Sequence, residues 1–384
     1  MKKFINSVDA MLAESLDGFT AAHSDIVTLG AERKFVRRRE PNTQKVALVS
    51  GGGSGHEPLH AGFVGKGMLD AACPGQIFTS PTPDQIVEAA TAVGGDPGVL
   101  FIVKNYSGDR MNFEMAAEIF EGLAESVITN DDVAVDKSTY SAGRRGVAGT
   151  LVVEKIVGAA AEKGMDLQRC VQLANEVNAR TRSIGVALTS CTVPAAGTPT
   201  FALGEDEMEM GVGIHGEPGR SRVKLTKARE TVEQMVGAIM SDYESSASGP
   251  ALLFVNGFGG TPSLELYLVY QEARQILQKR GLAVSRSLVG SYVTSLDMAG
   301  CSITLSMLDD RLTAPRPCTW HIRRRGPMRN RPLCNGREQT LHFLPQVRDR
   351  LAITREMPQQ ASLEQSIKQR IERAWGDVRL SAAK

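Results

Sequence analysis

The chain has 384 residues and a formal net charge of +1, and it is 42% hydrophobic and 23% charged. This length predicts two domains, and the composition is ordinary for a globular protein. The near-neutral charge argues against nucleic acid as a partner. No apolar run approaches the roughly 20 residues that a membrane-spanning helix needs, so no membrane segment is expected.

Cysteine usage and the N-terminus bear on the cellular compartment. Asn6 and Asp9 interrupt the apolar N-terminal run, which argues against a signal peptide. The cysteines show no CxxC pair and no short metal-type spacing, which is typical of a cytoplasmic protein with free thiols. They are Cys73, Cys170, Cys191, Cys301, Cys318 and Cys334.

The spacing of apolar residues predicts alternating strands and helices. A helix is expected over 4–19, the charged segment 33–42 is expected to be a solvated connector, and polar loops are expected at 73–82 and 141–149. The other predicted helices are 57–66, 109–120, 147–162, 167–181, 226–240 and 263–280. The predicted strands are 45–50, 99–104, 126–135, 183–189, a short one within 207–219, 251–255, 283–289 and 301–308.

This alternation predicts an α/β protein with two α/β domains, largely parallel or mixed sheets, and a divergent C-terminal tail. The expected domains are residues 1–190 and 191–312, and the second begins with a segment rich in proline, glycine and threonine. Residues 313–384 form the tail, which we expect to be partly helical or disordered.

The tail has two features of its own. Between Arg311 and Gly336 there are seven arginines and no acidic residue, while residues 362–378 keep a helical pattern. An arginine-rich run can bind nucleic acid or another anion, but no interleaved aromatic residues support binding here, so a weakly ordered extension is favoured.

The most informative stretch begins at Lys45. A short apolar strand, KVALVS, is followed by GGGSG and then by His56. Glycines at this position allow a tight turn and a close approach of backbone to ligand, and histidine is suited to proton transfer near neutral pH. The spacing fits neither the dinucleotide G-x-G-x-x-G pattern nor a Walker A loop. The first mismatch argues against a dinucleotide-dependent oxidoreductase. A structural turn without chemistry is the alternative.

Four further side chains are candidates for chemistry. His60 follows His56 by four residues, a spacing that could place both on one helix face for a metal, although no third ligand lies nearby. Lys104 ends a predicted strand and could anchor a substrate oxygen or be an ordinary surface lysine. Asp109 could serve as an acid/base or as a helix N-cap. His215 lies among glycines, which favours an exposed, reachable nucleophile or base over a surface histidine.

Seven motifs in one order resemble the family of dihydroxyacetone kinase K subunits. They are GGGSGHEP, CPGQIFTSPTPD, VKNYSGD, AGRRGVAG, CTVPAAG, GVGIHGEPG and LVGSYVTSLDMAG. The resemblance covers about residues 1–312. It implies two α/β domains, a cytoplasmic homodimer, and dihydroxyacetone kinase activity on a substrate held covalently.

The resemblance also implies roles for individual residues. It implies that the substrate carbonyl joins the His215 imidazole as a hemiaminal and that His56 and Asp109 handle protons. The positions that match substrate contacts in the family are Gly53, Ser54, Gly55, His56, Lys104 and Asp109, with Thr79 and Ser80 in a nearby loop. It implies no metal site in this chain.

The resemblance further implies partners. A separate L-type subunit is expected to carry an Mg-nucleotide, either ATP itself or ADP that a phosphotransferase-system relay with an M-type subunit rephosphorylates. No cofactor is expected on this chain, because the helical nucleotide-binding domain of single-chain family members is missing. A dihydroxyacetone sensor that acts on a transcription regulator is the competing function.

The tail departs from the family. Family members close soon after the last strand with a Trp-Asp-Ala-Pro-like stretch, where this chain has LTAPRPC. A reading-frame shift is one explanation for the arginine-rich composition, and the helical pattern at 362–378 argues against it. Resequencing that retains the frame would exclude it.

Overall fold

The computed structural model describes residues 2–134, 143–217, 219–243 and 249–308. The predictions made for the tail lie outside the described residues, as do residue 135 of the predicted strand 126–135 and residues 141–142 of the predicted loop 141–149. Within the described residues the fold is α/β, as predicted, and its strands form two six-stranded sheets.

The first sheet is built around four parallel strands. Its members are β1 (Val27–Leu29), β2 (Val36–Arg38), β3 (Ala47–Ser54), β4 (Ala71–Ile77), β5 (Val99–Lys104) and β6 (Ala124–Thr129). They lie in the order β1-β2-β4-β3-β5-β6, in which β4, β3, β5 and β6 pair in parallel and β1 and β2 add antiparallel pairs. Parallel sheets place the carboxyl ends of neighbouring strands at one edge, where α/β proteins hold their ligands.

The second sheet is mixed. Its members are β7 (Thr181–Ala187), β8 (Glu207–Met210), β9 (Ser221–Lys224), β10 (Pro250–Gly257), β11 (Ala283–Gly290) and β12 (Gly300–Met307). The order is β11-β10-β12-β7-β8-β9, with a parallel β10–β11 pair and antiparallel pairs elsewhere. We predicted β7 as part of the first domain, but it pairs in this sheet, because alternation along the chain does not tell which sheet a strand joins. The boundary at residue 190 stays a prediction.

Seven helices lie among the described residues. They are α1 (Met11–Ala22), α2 (Pro83–Val93), α3 (Ser107–Ile119), α4 (Gly149–Ala161), α5 (Leu167–Ala179), α6 (Ala228–Tyr243) and α7 (Ser263–Lys279). None of these helices is long and apolar enough to cross a membrane. One face of the first sheet packs against α2 and α3, and a second apolar cluster joins side chains of α1, α4 and α5 to others from the second sheet. That shared cluster holds the two sheets together.

The glycine-rich segment is strand rather than turn. We predicted that the strand ends at residue 50, but β3 continues through Gly51, Gly52 and Gly53 and pairs with β4 throughout. Close packing explains the glycines, since a Cβ on Gly51 would lie 2.6 Å from the carbonyl oxygen of Cys73. The chain turns later, at Gly55, whose φ of +103° is a conformation that favours glycine.

The helix predicted at 57–66 is absent. Pro58 and three closely spaced glycines fall within or beside this segment, and both residue types disfavour helix interiors. The segment consists of turns and one short 3₁₀ turn, Ala61–Phe63. His56 and His60 therefore do not share a helix face.

Two other predictions are corrected, and one helix was not predicted. The connector at 33–42 contains β2, and the loop at 73–82 contains β4 as far as Ile77. The helix α2 was not predicted, although Thr82 and Gln85 form the capping box that begins it. Both segments are rich in polar residues and proline, which hid short paired strands and a helix start.

Candidate active site

His56 lies directly after the turn that ends β3, and it is completely buried. Its Nδ1–H donates to the carbonyl oxygen of Thr294, 2.8 Å away in the LVGSYVTSLDMAG segment. A neutral imidazole that donates from Nδ1 has its lone pair on Nε2. This Nε2 is buried and has no hydrogen-bond partner among the described residues. His56 therefore offers an acceptor that no described protein group uses.

His215 lies in the loop between β8 and β9. Its backbone N–H donates to Glu217 Oε2 at 2.9 Å, and a Cβ on Gly213 would lie only 1.9 Å from Glu217 Oε1. The Glu217 carboxylate folds back over the loop and leaves no space for a side chain at Gly213, which explains this glycine. We expected an exposed side chain, but His215 is only partly exposed, and its Nδ1 is buried without a partner in the described part of the chain.

Four rings converge at this point. The His215 ring lies edge-on to His56, Tyr106 and Phe78, with centroid distances of 4.8, 4.3 and 5.5 Å, and His56 stacks on Phe78 at 5.0 Å. Phe78 has a positive φ of 54°, which is unusual for a residue with a Cβ and typical of strain held at functional sites. The ring packing fixes the orientation of both imidazoles.

Both imidazoles are neutral at neutral pH. Burial lowers the pKa of His215 to about 3, and the charges of Lys104 and Arg145 act in the same direction. Burial also lowers the pKa of His56 well below 6.5, with His215 and Lys104 adding to it and the hydrogen bond to Thr294 opposing it. A neutral imidazole is the form that can attack a carbonyl or accept a proton.

Asp109 and Lys104 form a buried ion pair. The Lys104 Nζ, at the end of β5, lies 3.3 Å from Asp109 Oδ2, in the first turn of α3. Ser80 Oγ donates to Asp109 Oδ1 in a short hydrogen bond. A Cβ on Gly108 would lie 2.8 Å from Ser80 Oγ, so glycine is what lets the serine come so close.

Two alternatives from the sequence are now decided. Lys104 is fully buried, so the surface-lysine alternative is wrong. The N-cap of α3 is Tyr106, and no side chain of the described residues caps this end, so the N-cap alternative for Asp109 is wrong as well. The acid/base role of Asp109 stays a prediction.

His60 lies behind this ion pair. Its Nε2 accepts from Lys104 Nζ at 2.9 Å, and its Nδ1 lies 2.7 Å from Glu154 Oε1, on α4. Burial raises the pKa of Glu154 to about 8, and the charge of Lys104 opposes this shift. In the described part of the chain no group of three or more histidine, cysteine, aspartate or glutamate side chains could hold a metal ion.

The His215 loop is held from behind by Arg145, the second arginine of AGRRGVAG. This side chain is 1% exposed, and its guanidinium contacts Glu217 Oε1 at 3.0 Å and Asp132 Oδ2 at 2.6 Å. A third contact reaches the carbonyl oxygen of Gly211 at 2.7 Å. A guanidinium between two carboxylates is a rigid support, and it fixes the His215 loop against the segment that follows β6.

The end of β3 and the turn at Gly55 form the remaining wall. Ser54 Oγ donates to the Gly75 carbonyl oxygen at 2.7 Å, and Gly55 bonds through its own carbonyl to the backbone N–H of Leu296 at 2.8 Å. A Cβ on Gly53 would lie 2.6 Å from the backbone nitrogen of Thr79. The end of β3, the turn at Gly55, the Thr79–Ser80 loop and the loop between β11 and β12 are therefore in contact.

The Dak1 domain family matches residues 17–317. The chain belongs to the Dak1 family. It is 47% identical to the dihydroxyacetone-binding subunit of the PEP-dependent dihydroxyacetone kinase of Escherichia coli K12, over 82% of this chain and 96% of that protein. The resemblance stated from the motifs is confirmed.

Two solved structures share the fold. One is the dihydroxyacetone kinase of C. freundii in complex with AMP-PNP and Mg²⁺, which is 36% identical with a TM-score of 0.72 and covers 81% of this chain and 58% of that one. The other is a dihydroxyacetone kinase operon co-activator, which is 34% identical with a TM-score of 0.73 and covers 78% of this chain and 93% of that one.

Several site residues of this Dak1 chain were not predicted from the sequence. They are Phe78, Tyr106, Arg145, Glu154, Glu217 and Thr294. One signal was available, since the two histidine loops read GHEP and HGEP, and in each the glutamate accepts from a backbone N–H two residues earlier. The others meet the site only through pairing between distant segments.

Proposed function

We propose that this chain is the dihydroxyacetone-binding subunit of a dihydroxyacetone kinase. It captures the ketone as a hemiaminal on His215 and positions a terminal hydroxyl for phosphorylation to dihydroxyacetone phosphate. The observation that carries the proposal is the contact of two neutral imidazoles, His215 and His56, beside the buried Asp109–Lys104 pair. The membership of the Dak1 family supports it.

Capture needs a neutral imidazole. A ring nitrogen forms a bond to the carbonyl carbon while the carbonyl π bond breaks, the oxygen takes up a proton, and the other ring nitrogen releases one. The depressed pKa of His215 keeps its lone pair available. Glycerol has the same skeleton but no carbonyl, so it cannot be held in this way.

The transferred phosphoryl group needs a hydroxyl that loses its proton. Asp109 and His56 are the two candidate acceptors. The Asp109 carboxylate accepts a hydrogen bond from Ser80 and pairs with Lys104, whereas His56 Nε2 has no hydrogen-bond partner among the described residues. Gly53, Ser54, Gly55 and Ser80 form the wall against which the substrate hydroxyls would lie. General bases of this kind contribute about 10²–10⁴-fold to rate.

The donor is proposed to arrive on a partner. Phosphoryl transfer from a nucleotide needs Mg²⁺ and groups around the phosphates, and the sequence has no Walker A loop to supply them. We place the Mg-nucleotide on an L-type subunit, fed by ATP or by a phosphotransferase-system relay with an M-type subunit. We also propose a homodimer, and a cytoplasmic location, since the four cysteines of the described residues are free thiols.

Reconstitution tests this function. The chain alone should bind dihydroxyacetone but phosphorylate nothing with MgATP. Addition of an L-type subunit, with and without the phosphotransferase proteins, should produce dihydroxyacetone phosphate and no glycerol phosphate. Sustained kinase activity of the chain alone, or no activity with any L-type partner, would contradict the proposal.

A ligand sensor is the second candidate, because the operon co-activator has a similar structure. A sensor would need capture of dihydroxyacetone but no proton acceptor for a hydroxyl. The retained Asp109–Lys104 pair favours the enzyme. Capture without turnover in every reconstitution would favour the sensor instead.

A further inference from the structure

The Lys104 ammonium contacts three groups of the protein. It donates hydrogen bonds to the Gly51 carbonyl oxygen at 3.1 Å and to His60 Nε2 at 2.9 Å, and it forms an ion pair with Asp109 Oδ2 at 3.3 Å. An ammonium group carries three donors and no acceptor. Three protein groups thus hold Lys104 in the site. One of them, His60, lies on the side of Lys104 away from the Asp109 carboxylate in this sequence of contacts.

These contacts determine the tautomer of His60. Because an ammonium only donates, His60 Nε2 must accept, and a neutral imidazole then has its proton on Nδ1. Burial, Lys104 and His56 lower the pKa of His60 well below 6.5, which keeps the ring neutral. The Nδ1–H can then donate to Glu154 Oε1 at 2.7 Å. The opposite tautomer would set an N–H against the ammonium.

Glu154 is the support for that tautomer. It is fully buried on α4, and its Oε2 has no hydrogen-bond partner among the described residues, so its carboxyl contributes through Oε1. Ser50 Oγ is a second acceptor, 3.1 Å from His60 Nδ1, while its own hydrogen goes to the Ile102 carbonyl oxygen. An arrangement of carboxyl, imidazole and ammonium therefore runs from α4 to Asp109.

We propose that His60 and Glu154 are positioning residues: Glu154 fixes the His60 tautomer, and His60 holds the Lys104 ammonium in place against Asp109. Neither residue touches the reacting atoms. Their effect reaches the substrate hydroxyl through Lys104 and the orientation of the Asp109 carboxylate. This inference depends on the proposed function in one respect, which is that Asp109 has a role in turnover.

The first test is a spectrum of the unmodified protein. With ¹⁵N-labelled histidine, the His60 ring should show a protonated Nδ1 and an unprotonated Nε2, assigned by loss of the signals in His60→Gln. A His60 ring protonated on Nε2 would overturn the proposal. This test does not depend on whether any variant of Glu154 folds.

The second test is a series of variants assayed with the L-type partner. Glu154→Gln keeps an oxygen for the Nδ1–H and should stay within about threefold of wild-type turnover. Glu154→Met leaves only Ser50 as acceptor and should lose about tenfold, and His60→Leu should lose about 10- to 100-fold, since a charged donor loses its partner. Dihydroxyacetone capture should persist in all three, because Arg145 and Glu217 hold the His215 loop separately.

Two controls separate positioning from loss of stability. Val157→Ala disturbs the packing of the same helix without touching a hydrogen bond, and it should lower stability and leave turnover unchanged. In an Asp109→Asn background, Glu154→Met should have little further effect on turnover, since both act on one group. Fully additive losses, or wild-type turnover in Glu154→Met and His60→Leu, would overturn the proposal. An inactive wild-type reconstitution would instead count against the proposed function.

Discussion

Lowering the pH should not weaken capture of dihydroxyacetone. Burial and the charges of Lys104 and Arg145 lower the pKa of His215 to about 3, so about 99% of the imidazole is still neutral at pH 5. A histidine with the ordinary pKa of about 6.5 would be about 76% neutral at pH 7 and about 3% at pH 5. Its apparent affinity for the ketone would fall roughly 25-fold over that range. The predicted change for His215 is within experimental error.

The assay is a titration with dihydroxyacetone labelled with ¹³C at the carbonyl carbon, followed by NMR at pH 7, 6 and 5. Circular dichroism at each pH serves as the control that the protein stays folded. An affinity that falls by tenfold or more between pH 7 and pH 5, in protein that is still folded, would refute the account of a buried, neutral imidazole.

Three further predictions concern turnover, close packing and stability. Asp109→Asn should reduce reconstituted turnover by about 10²–10⁴-fold while NMR still shows capture, and near-normal turnover would exclude it as the proton acceptor. Gly52→Ala puts a Cβ 2.2 Å from Lys104 Nζ and should lower both turnover and the urea midpoint. The control is Gly237→Ala, on α6, where a Cβ would meet no described atom within 4 Å, and this change should be neutral or stabilising by up to about 1 kcal/mol. Equal effects of the two substitutions would refute the close-approach explanation. Because the folded-state pKa of His215 is depressed, its contribution to stability is lost as pH falls below 6.5. Between pH 7.5 and pH 5 the free energy of unfolding in urea should therefore fall by about 2 kcal/mol more in the wild type than in His215→Gln. Parallel pH curves for the two proteins would contradict the pKa shift.

The strands and helices with clear apolar periodicity were predictable. The run VLFIVK forms β5, whose side chains are buried on both faces of a parallel sheet, and this is why it reads as continuously apolar. The helices α4, α5 and α7 also match their predicted segments closely. In these segments local pattern and tertiary packing agree.

Other features depended on contacts that local pattern does not contain. Three positions in β3 are glycine because atoms of neighbouring segments and of Lys104 lie where a Cβ would be. The strand propensities of the amino acids do not predict this. The short strands β1, β2 and β9 exist through pairing, and β7 joins the second sheet although it follows the helices of the first. Long-range pairing decided these cases.

The candidate site shows the same division. The glycine-flanked histidines and the residues after β5 could be found from the motifs, because loops at strand ends carry chemistry. The supports could not be found in this way. Arg145 and Glu217 are 72 residues apart, and His60 and Glu154 are 94 apart, so only the folded chain brings each pair together.

The most direct test of the central claim is the ¹³C spectrum of the protein with carbonyl-labelled dihydroxyacetone, compared with that of His215→Ala. The account predicts that the wild type converts the ketone signal to a tetrahedral carbon bonded to nitrogen and that His215→Ala, still folded by circular dichroism, shows only free ketone and its hydrate. A tetrahedral adduct that persists in His215→Ala, or one that never forms in the wild type, would contradict it.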